Sequence, residues 1–206
     1  TDIWAKPRLL MTGITVMVGL QKNALIVFTS DHGDMLYSHG MERKQKPFDE
    51  SILVPLLIRY PRLQTNGGKK VSSPVSTPDI LPTMLTLCGI EPPEWIEGRD
   101  FSMLITGETE GSHEHALIMS VTPFGEWNRE KGGVEYRGLR TMRYTYVRTP
   151  EGPWLLFDNL KDQFQMNNLI NDPAYSELQD DLDKKLTNEL RRINDDFLPG
   201  PEYIKK

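Results

Sequence analysis

Cysteine is almost absent from this chain. Cys88 is the only cysteine among 206 residues, so no disulfide can form within the chain and the redox compartment stays open. Long apolar runs are missing too, because none reaches the roughly 20 residues that a helix needs to cross a bilayer. We therefore expect neither a disulfide framework nor a membrane span.

Positive charge is not in excess either. The chain has 24 Lys and Arg against 29 Asp and Glu, a net charge of -5, and no dense basic stripe, so nucleic acid is not an expected partner. The first residues, TDIWAKPRLLMTG, lack the charged-then-apolar pattern of an export signal. A signal on a longer parent chain would make that parent periplasmic or secreted, and the localisation stays unknown.

What the chain does contain begins with two apolar runs. Residues 24–28 and 52–61 are short and nearly continuous in apolar character, which is typical of strands buried on both faces of a parallel α/β sheet. A helix is predicted behind them, from a capping Asp79 to a terminating Gly89. The first part of the chain is therefore predicted to be α/β.

The later part favours an antiparallel sheet. Strand patterns at 116–121, 136–148 and 154–159 follow one another over short connections. An amphipathic helix from Pro173 to Ile193 should lie on this sheet. A boundary near residue 110 is predicted, with an α/β core at 1–110 and a smaller subdomain at 111–206.

The first predicted strand ends in a polar cluster, TSDHGD. Ligands of open α/β sheets bind beyond the carboxyl ends of strands. Asp31 is a hard oxygen ligand suited to Ca²⁺ or Mg²⁺, and His32 can ligate a metal through a ring nitrogen. Aspartate and glycine are also common in turns, where Asp31 would only cap the next segment, so both readings stay open.

Two nearby residues are ambiguous in the same way. Lys44 could hold an oxyanion as a point charge, or it could form a solvated charge run with Arg43 and Lys46. His39 could line a site or lie on the surface beside Gly40.

The motifs together resemble the sulfatase family of the alkaline-phosphatase superfamily. The resemblance rests on VFTSDHGDMLYSHG, KQKPFDESILVPLLIRYP and STPDILPTMLTLCGI, followed by RGLRTMRYTYVR, PWLLFDN and DQFQMNNLINDP. It covers residues 19–190 and keeps the family's order. It implies part of an alkaline-phosphatase-like sheet sandwiched by helices, followed by a small antiparallel sheet with a C-terminal helix, and it implies hydrolysis of sulfate esters of small molecules or glycans.

The resemblance also implies roles for individual residues. Asp31 and His32 match two metal ligands of the family, usually for Ca²⁺, with Mg²⁺ as the alternative. His39 matches the histidine of a G-x-H-G stretch and is expected at the substrate.

A catalytic lysine is implied as well. Lys44 lies ten residues before Val54, where sulfatases keep the lysine that contacts the sulfate group. Lys46 is two residues off this spacing, so its replacement should affect activity little. Asp49 and Glu50 match an acidic position interpreted as supporting structure.

One part of the family's site has no counterpart. Sulfatases make a formylglycine nucleophile from Cys or Ser in a C/S-x-P-x-R motif, and neither Cys88, Ser72 nor Ser76 begins such a motif. The family's early aspartate pair is not found before Asp31 either. We therefore predict that the chain is the C-terminal part of a sulfatase and is inactive alone.

Two other functions stay open. A relative hydrolysing phosphate or phosphonate esters would share these residues and carry a different nucleophile, and a non-catalytic remnant could act as a binding or homo-oligomerisation module. The sulfate ester itself is not readable. Trp127 and Arg129 suit either a sulfated sugar or a packed hairpin loop, and His113 and His115 are interpreted as loop residues.

Overall fold

The computed structural model describes residues 19, 22–63, 68–109 and 113–203. The regular elements within these ranges, in chain order, are β1 (Ile26–Phe28), α1 (Asp49–Ile52), β2 (Leu57–Arg59), α2 (Thr77–Leu87), α3 (Ser102–Thr106), β3 (His115–Ser120), β4 (Tyr136–Thr141), β5 (Tyr144–Thr149), β6 (Gly152–Asp158), α4 (Ser176–Arg192) and α5 (Gly200–Tyr203). This mixed α/β architecture, with a four-stranded antiparallel sheet and a C-terminal helix, confirms the predicted fold class. No helix in the described part of the chain is both long and apolar enough to cross a membrane.

The chain forms two compact units. The described residues of the first belong to Thr1–Asp31, Val54–Val71 and Thr77–Gly111, and those of the second to His32–Leu53, Ser72–Ser76 and Ser112–Lys206. The predicted division into domains 1–110 and 111–206 stays a prediction. Residues 110–112, at its boundary, lie outside the described residues, as does the N-terminal sequence TDIWAKPRLLMTG.

The first unit contains a two-stranded sheet that differs from the one predicted. β1 and β2 pair antiparallel, with Val27 opposite Ile58, and their residues are mostly half-buried, whereas the sequence suggested parallel strands buried on both faces. The connection, residues 29–56, is described throughout and contains only the four-residue α1 as an α-helix. It therefore differs from the helical crossover that usually joins a parallel pair of strands.

Helix α2 forms close to where it was predicted. It begins at Thr77, so Asp79 lies in the first turn rather than at the cap, and its Oδ1 accepts a hydrogen bond from the Arg99 N–H at 2.7 Å. Thr83 accepts the Phe101 N–H at 2.9 Å. Gly89 follows the helix with φ +77°, the left-handed conformation expected of a helix stop.

The second unit is built on the four-stranded sheet, in the order β3-β4-β5-β6 with every pair antiparallel. Its residues alternate between two apolar layers, as a strand's side chains must. On one face, α4 packs its leucines against the sheet; that layer comprises Leu139, Tyr146, Leu156, Leu169, Leu182, Leu186 and Leu190. The predicted packing of the C-terminal helix on the sheet is thereby confirmed.

The opposite face of the sheet is covered by the segment that carries the predicted site. Met35 and Phe48 are buried there against the sheet; the whole layer comprises Met35, Phe48, Trp127, Tyr136, Val147, Leu155 and Phe157. Residues 32–53 are therefore held as one layer of this unit.

Candidate active site

Three of the four predicted site residues, His32, His39 and Lys44, belong to the second unit, and Asp31 belongs to the first. The Asp31 carboxylate is exposed, and its Oδ1 accepts a hydrogen bond from Ser30 at 3.4 Å. The metal-binding and substrate-binding roles of these four residues stay predictions.

The His32 ring is oriented by the next residue. Its Nδ1 lies 2.6 Å from the carbonyl oxygen of Gly33, so the tautomer that donates from Nδ1 fits this contact and carries its lone pair on Nε2. A backbone carbonyl on one ring nitrogen is the usual way in which a metal-binding histidine is oriented. The local geometry therefore fits a ligand role through Nε2.

Gly33 ties this segment to α1 by close backbone contact. Its N–H donates to the carbonyl of Ser51 at 2.9 Å, and a Cβ at this position would lie 2.0 Å from the carbonyl oxygen of Glu50. No side chain fits there, so only glycine lets residues 32–34 pack on the helix.

We expect Gly33→Ala to lower the free energy of unfolding by about 1 to 3 kcal/mol, the usual cost of overpacking. Thermal or urea unfolding of the purified chain measures this loss. Gly40→Ala is the matched control, because a Cβ added to Gly40 would meet no atom within 4 Å; with φ +68° at this position, its cost should be backbone strain alone. A Gly33→Ala chain as stable as the wild type would contradict the close contact.

His39 is held by two residues at the start of α1. Its ring stacks on Phe48 with centroids 4.1 Å apart, and its Nε2 lies 3.9 Å from Glu50 Oε1. The backbone of His39 is left-handed, with φ 54°, which costs energy for a residue with a side chain. The ring is thus fixed and half-buried rather than freely exposed on the surface.

Helix α1 is in turn anchored to the sheet. Both carboxylate oxygens of Asp49 accept hydrogen bonds from Arg140, each at 2.8 Å, and the Asp49 N–H donates to Gln165 Oε1 at 2.8 Å. These contacts give Asp49 the supporting role that the resemblance implied. Sequence reasoning missed Arg140 and Gln165, since partners 91 and 116 residues away leave no local pattern.

The two neighbouring lysines have different environments. Lys46 is buried, with 4% exposure; its ammonium donates to the Glu42 carbonyl at 2.5 Å and lies 5.7 Å from the centre of the Trp127 ring. Burial lowers the pKa of Lys46 below its usual range. Lys44 is half-buried, and within the described ranges its ammonium makes no hydrogen bond or ion pair.

We expect Lys46→Ala to lower the free energy of unfolding by about 1 to 3 kcal/mol, because it removes a buried side chain together with its hydrogen bond to the Glu42 carbonyl. Lys44→Ala should change stability by less than about 0.5 kcal/mol, as surface substitutions usually do. Urea unfolding of both variants tests the difference. Equal losses of stability in the two variants would contradict the assignment of Lys46 as a structural residue and Lys44 as a residue without a structural role.

The residues considered for sugar or metal binding further along the chain are engaged in packing and ion pairs. Trp127 is 8% exposed and belongs to the core, and Arg129 pairs with Glu135. His115, interpreted from the sequence as a loop residue, is instead the first residue of β3, and its Nε2 lies 3.6 Å from Glu189 Oε2. Of the two alternatives for Trp127, a sugar-binding residue or a packed residue of a hairpin loop, the structure therefore favours the packed residue.

A complete metal shell is not assembled by the described residues. No group of three or more His, Cys, Asp or Glu side chains in those ranges could hold an ion. Aspartate carboxylates and neutral imidazole nitrogens can both ligate divalent cations, and the ligand roles predicted for Asp31 and His32 stay predictions.

Comparison with known proteins places the chain. Residues 38–192 match the family model of the N-sulphoglucosamine sulphohydrolase C-terminal region. The chain is 43% identical over 194 residues to the ulvan-active sulfatase of Formosa agariphila, a match that covers 92% of this chain and 37% of that protein.

Two solved structures are similar in fold. One is a protein in complex with its substrate D-glucosamine-2-N,6-O-disulfate, with a TM-score of 0.76, 25% identity, and coverage of 92% of this chain and 38% of that one. The other is the phosphonate monoester hydrolase of Agrobacterium radiobacter, with a TM-score of 0.76, 29% identity, and coverage of 88% and 38%.

The chain thus spans less than two-fifths of the length of these relatives. Its matched region includes His39, Lys44, the four-stranded sheet and all of α4, and it begins after Asp31 and His32. With the fold, the motifs and the family model in agreement, the chain belongs to the sulfatases of the alkaline-phosphatase superfamily, as a member of the N-sulphoglucosamine sulphohydrolase C-terminal family.

Proposed function

We propose that this chain supplies the sulfate-binding lysine and two metal ligands of an enzyme that hydrolyses sulfate esters. The observation that carries the proposal is the contrast between two lysines in one short loop. Lys46 is buried and bonded to the protein, whereas the ammonium of Lys44 makes no such bond within the described ranges. An ammonium held in a loop but not neutralised by a carboxylate suits the binding of an external anion.

The chemistry requires such a charge. Cleavage of a sulfate ester leaves negative charge on the bridging oxygen, while the non-bridging oxygens stay anionic. Lys44 would bind a non-bridging oxygen and orient the group, and it would accelerate the reaction only as far as it holds the transition state more strongly than the substrate. His39, fixed by Phe48 and Glu50, would lie at the substrate.

Asp31 and His32 would be two ligands of a divalent cation, Ca²⁺ or Mg²⁺. When bound, such a cation balances the charge of the sulfate oxygens. The nucleophile would be a formylglycine from a C/S-x-P-x-R motif outside these 206 residues, so the chain alone should release no sulfate. The substrate is proposed to be a sulfated glycan, supported by the ulvan-active relative and the glucosamine disulfate in the similar structure.

A fusion protein tests the function. The 206-residue chain would replace the matching segment of the Formosa agariphila sulfatase, behind that enzyme's own N-terminal part, and be produced with a formylglycine-generating enzyme. We expect sulfate release from an aryl sulfate or ulvan fragment by the fusion and none by the chain alone. Release by the chain alone, abolished by Lys44→Ala, would contradict the proposed division of the site.

The metal ligands can be tested on the chain itself. We expect weak Ca²⁺ binding by calorimetry, because affinity follows the number of carboxylate ligands, and we expect Asp31→Ala to abolish it. Glu91→Ala, which removes an exposed carboxylate elsewhere, is the control and should leave binding unchanged. Tight binding that survives Asp31→Ala would refute the assignment.

Phosphonate ester hydrolysis is the second candidate. It is favoured by the similarity to the Agrobacterium radiobacter enzyme, and Lys44 with a cation would bind either tetrahedral anion. Assays of the fusion on matched aryl sulfate and aryl phosphonate esters separate the two activities, and a higher kcat/KM on the phosphonate would favour this alternative.

A further inference from the structure

Lys44 is followed by two residues that contact the same segment. The side chain of Gln45 makes two hydrogen bonds with the backbone of Phe124: its Nε2 donates to the carbonyl at 3.0 Å, and its Oε1 accepts the N–H at 3.2 Å. Lys46 then lies over the ring of Trp127. Both partners belong to the connection between β3 and β4, residues 121–135, which we name the β3–β4 connection.

The backbone on either side of Lys44 is conformationally costly. Arg43 has φ 62° and Gln45 has φ 76°, and neither is a glycine. Such conformations persist where the surrounding structure holds them. On one side the Arg43 carbonyl accepts the Met35 N–H at 2.8 Å; on the other, the amide of Gln45 holds the β3–β4 connection.

A two-point contact of this kind restricts more than distance. The planar side-chain amide of Gln45 both donates to and accepts from the backbone of Phe124. Two bonds from one rigid group therefore fix the relative orientation of the two segments as well as their distance. One residue further on, the Lys46 ammonium adds a second contact with the β3–β4 connection, 5.7 Å from the centre of the Trp127 ring. The position from which the Lys44 side chain extends is therefore set from outside its own loop.

We propose that Gln45 is a positioning residue for Lys44: its amide fastens the lysine-bearing loop to Phe124 and thereby sets where the ammonium lies. This inference rests on the proposed function, in which Lys44 binds the sulfate group. It adds the β3–β4 connection to the support of the site, although Trp127 and Arg129 are themselves engaged in packing and pairing.

The choice of substitution separates positioning from folding. Gln45→Gly removes both hydrogen bonds but suits φ 76°, so backbone strain falls while the contact is lost. Gln45→Ala removes the contact and keeps the strain. Gln163→Ala, at an exposed glutamine, is the matched control.

In the active fusion we expect Gln45→Gly and Gln45→Ala each to lower kcat/KM about tenfold, with Gln163→Ala unchanged. Only Gln45→Ala should lower the melting temperature noticeably. In a Lys44→Ala background, Gln45→Gly should cause no further loss, because a residue that acts through Lys44 has nothing left to position. An unchanged kcat/KM, or a loss that simply adds to that of Lys44→Ala, would overturn the inference.

A second measurement needs no activity. In nuclear magnetic resonance of the full 206-residue chain, Gln45→Gly should speed hydrogen exchange of the Phe124 amide and increase the backbone mobility of Lys44. Unchanged Lys44 mobility would overturn the inference even if the fusion were inactive. If Lys44→Ala leaves the fusion's kcat/KM intact while Gln45→Gly still mobilises the loop, the proposed function fails and the contact stands.

Discussion

Replacement of Lys44 by alanine should lower kcat/KM of the sulfatase fusion about a hundredfold or more, the scale of losing one charge contact to a transition state. The loss should appear mainly in kcat if the ammonium stabilises the transition state in which the bond between sulfur and the bridging oxygen breaks. It should appear mainly in KM if the ammonium only binds the ester. Steady-state kinetics on an aryl sulfate measure both parameters. The stability of the variant should be unchanged, because Lys44 makes no hydrogen bond or ion pair with the residues that the structure describes.

Arg43→Ala is the matched control for charge. Arg43 is exposed and adjacent, so a general dependence on loop charge would reduce activity in both variants. We expect a change of less than about threefold for Arg43→Ala, consistent with screening of an exposed charge. Equal losses would assign the effect to the overall potential of the loop rather than to Lys44.

Replacement of Asp195 by alanine should lower the free energy of unfolding by about 3 to 5 kcal/mol, the usual result of removing one partner of a buried ion pair. Arg137 is wholly buried, and its guanidinium binds Asp195 through Nε and, at 3.3 Å, through Nη2. Its Nη1 donates to the carbonyls of Ser120 at 3.1 Å and Tyr136 at 3.0 Å. The neutral carbonyls carry no net charge to balance the buried guanidinium, so its burial would cost more once the Asp195 carboxylate is removed.

Urea unfolding measures this loss, and two further variants test its cause. Glu126→Gln breaks the exposed pair with Lys131 and should cost less than about 1 kcal/mol. The double variant Arg137→Met with Asp195→Leu removes both charges and should be more stable than Asp195→Ala alone. A loss below about 1 kcal/mol in Asp195→Ala would show that water reaches the guanidinium.

Local patterns predicted the elements that rest on local physics. The strand pattern at 136–148 was predicted as one strand, and the structure divides it at Met142 and Arg143 into β4 and β5. The C-terminal helix follows from its apolar period, but it begins at Ser176 rather than Pro173. Asp172 accepts the Ala174 N–H at 2.9 Å and so caps the 3₁₀ turn Pro173–Tyr175 that precedes the helix. The predicted parallel direction of β1 and β2 was wrong. An apolar run in a sequence predicts that a strand is buried, but it does not predict the path of the chain between two strands.

The candidate site likewise contains residues that the sequence indicated and residues that only the structure identified. The resemblance supplied His39 and Lys44, since motif spacing is visible in the sequence, and their roles remain predictions. It could not supply Arg140, Gln165 or the bonds of Gln45, because these depend on how a loop packs over a distant sheet. Nor could the sequence tell that Lys46 is buried while Lys44 is not.

The anchoring of α1 has a consequence for the order of synthesis. Asp49 leaves the ribosome before Arg140 and Gln165, which follow 91 and 116 residues later. At about 5 to 20 residues per second, this delay is on the order of 5 to 25 s. During that time the apolar Met35 and Phe48 have no sheet to cover them, so the lysine-bearing loop becomes ordered only after translation has delivered the strands on which it lies.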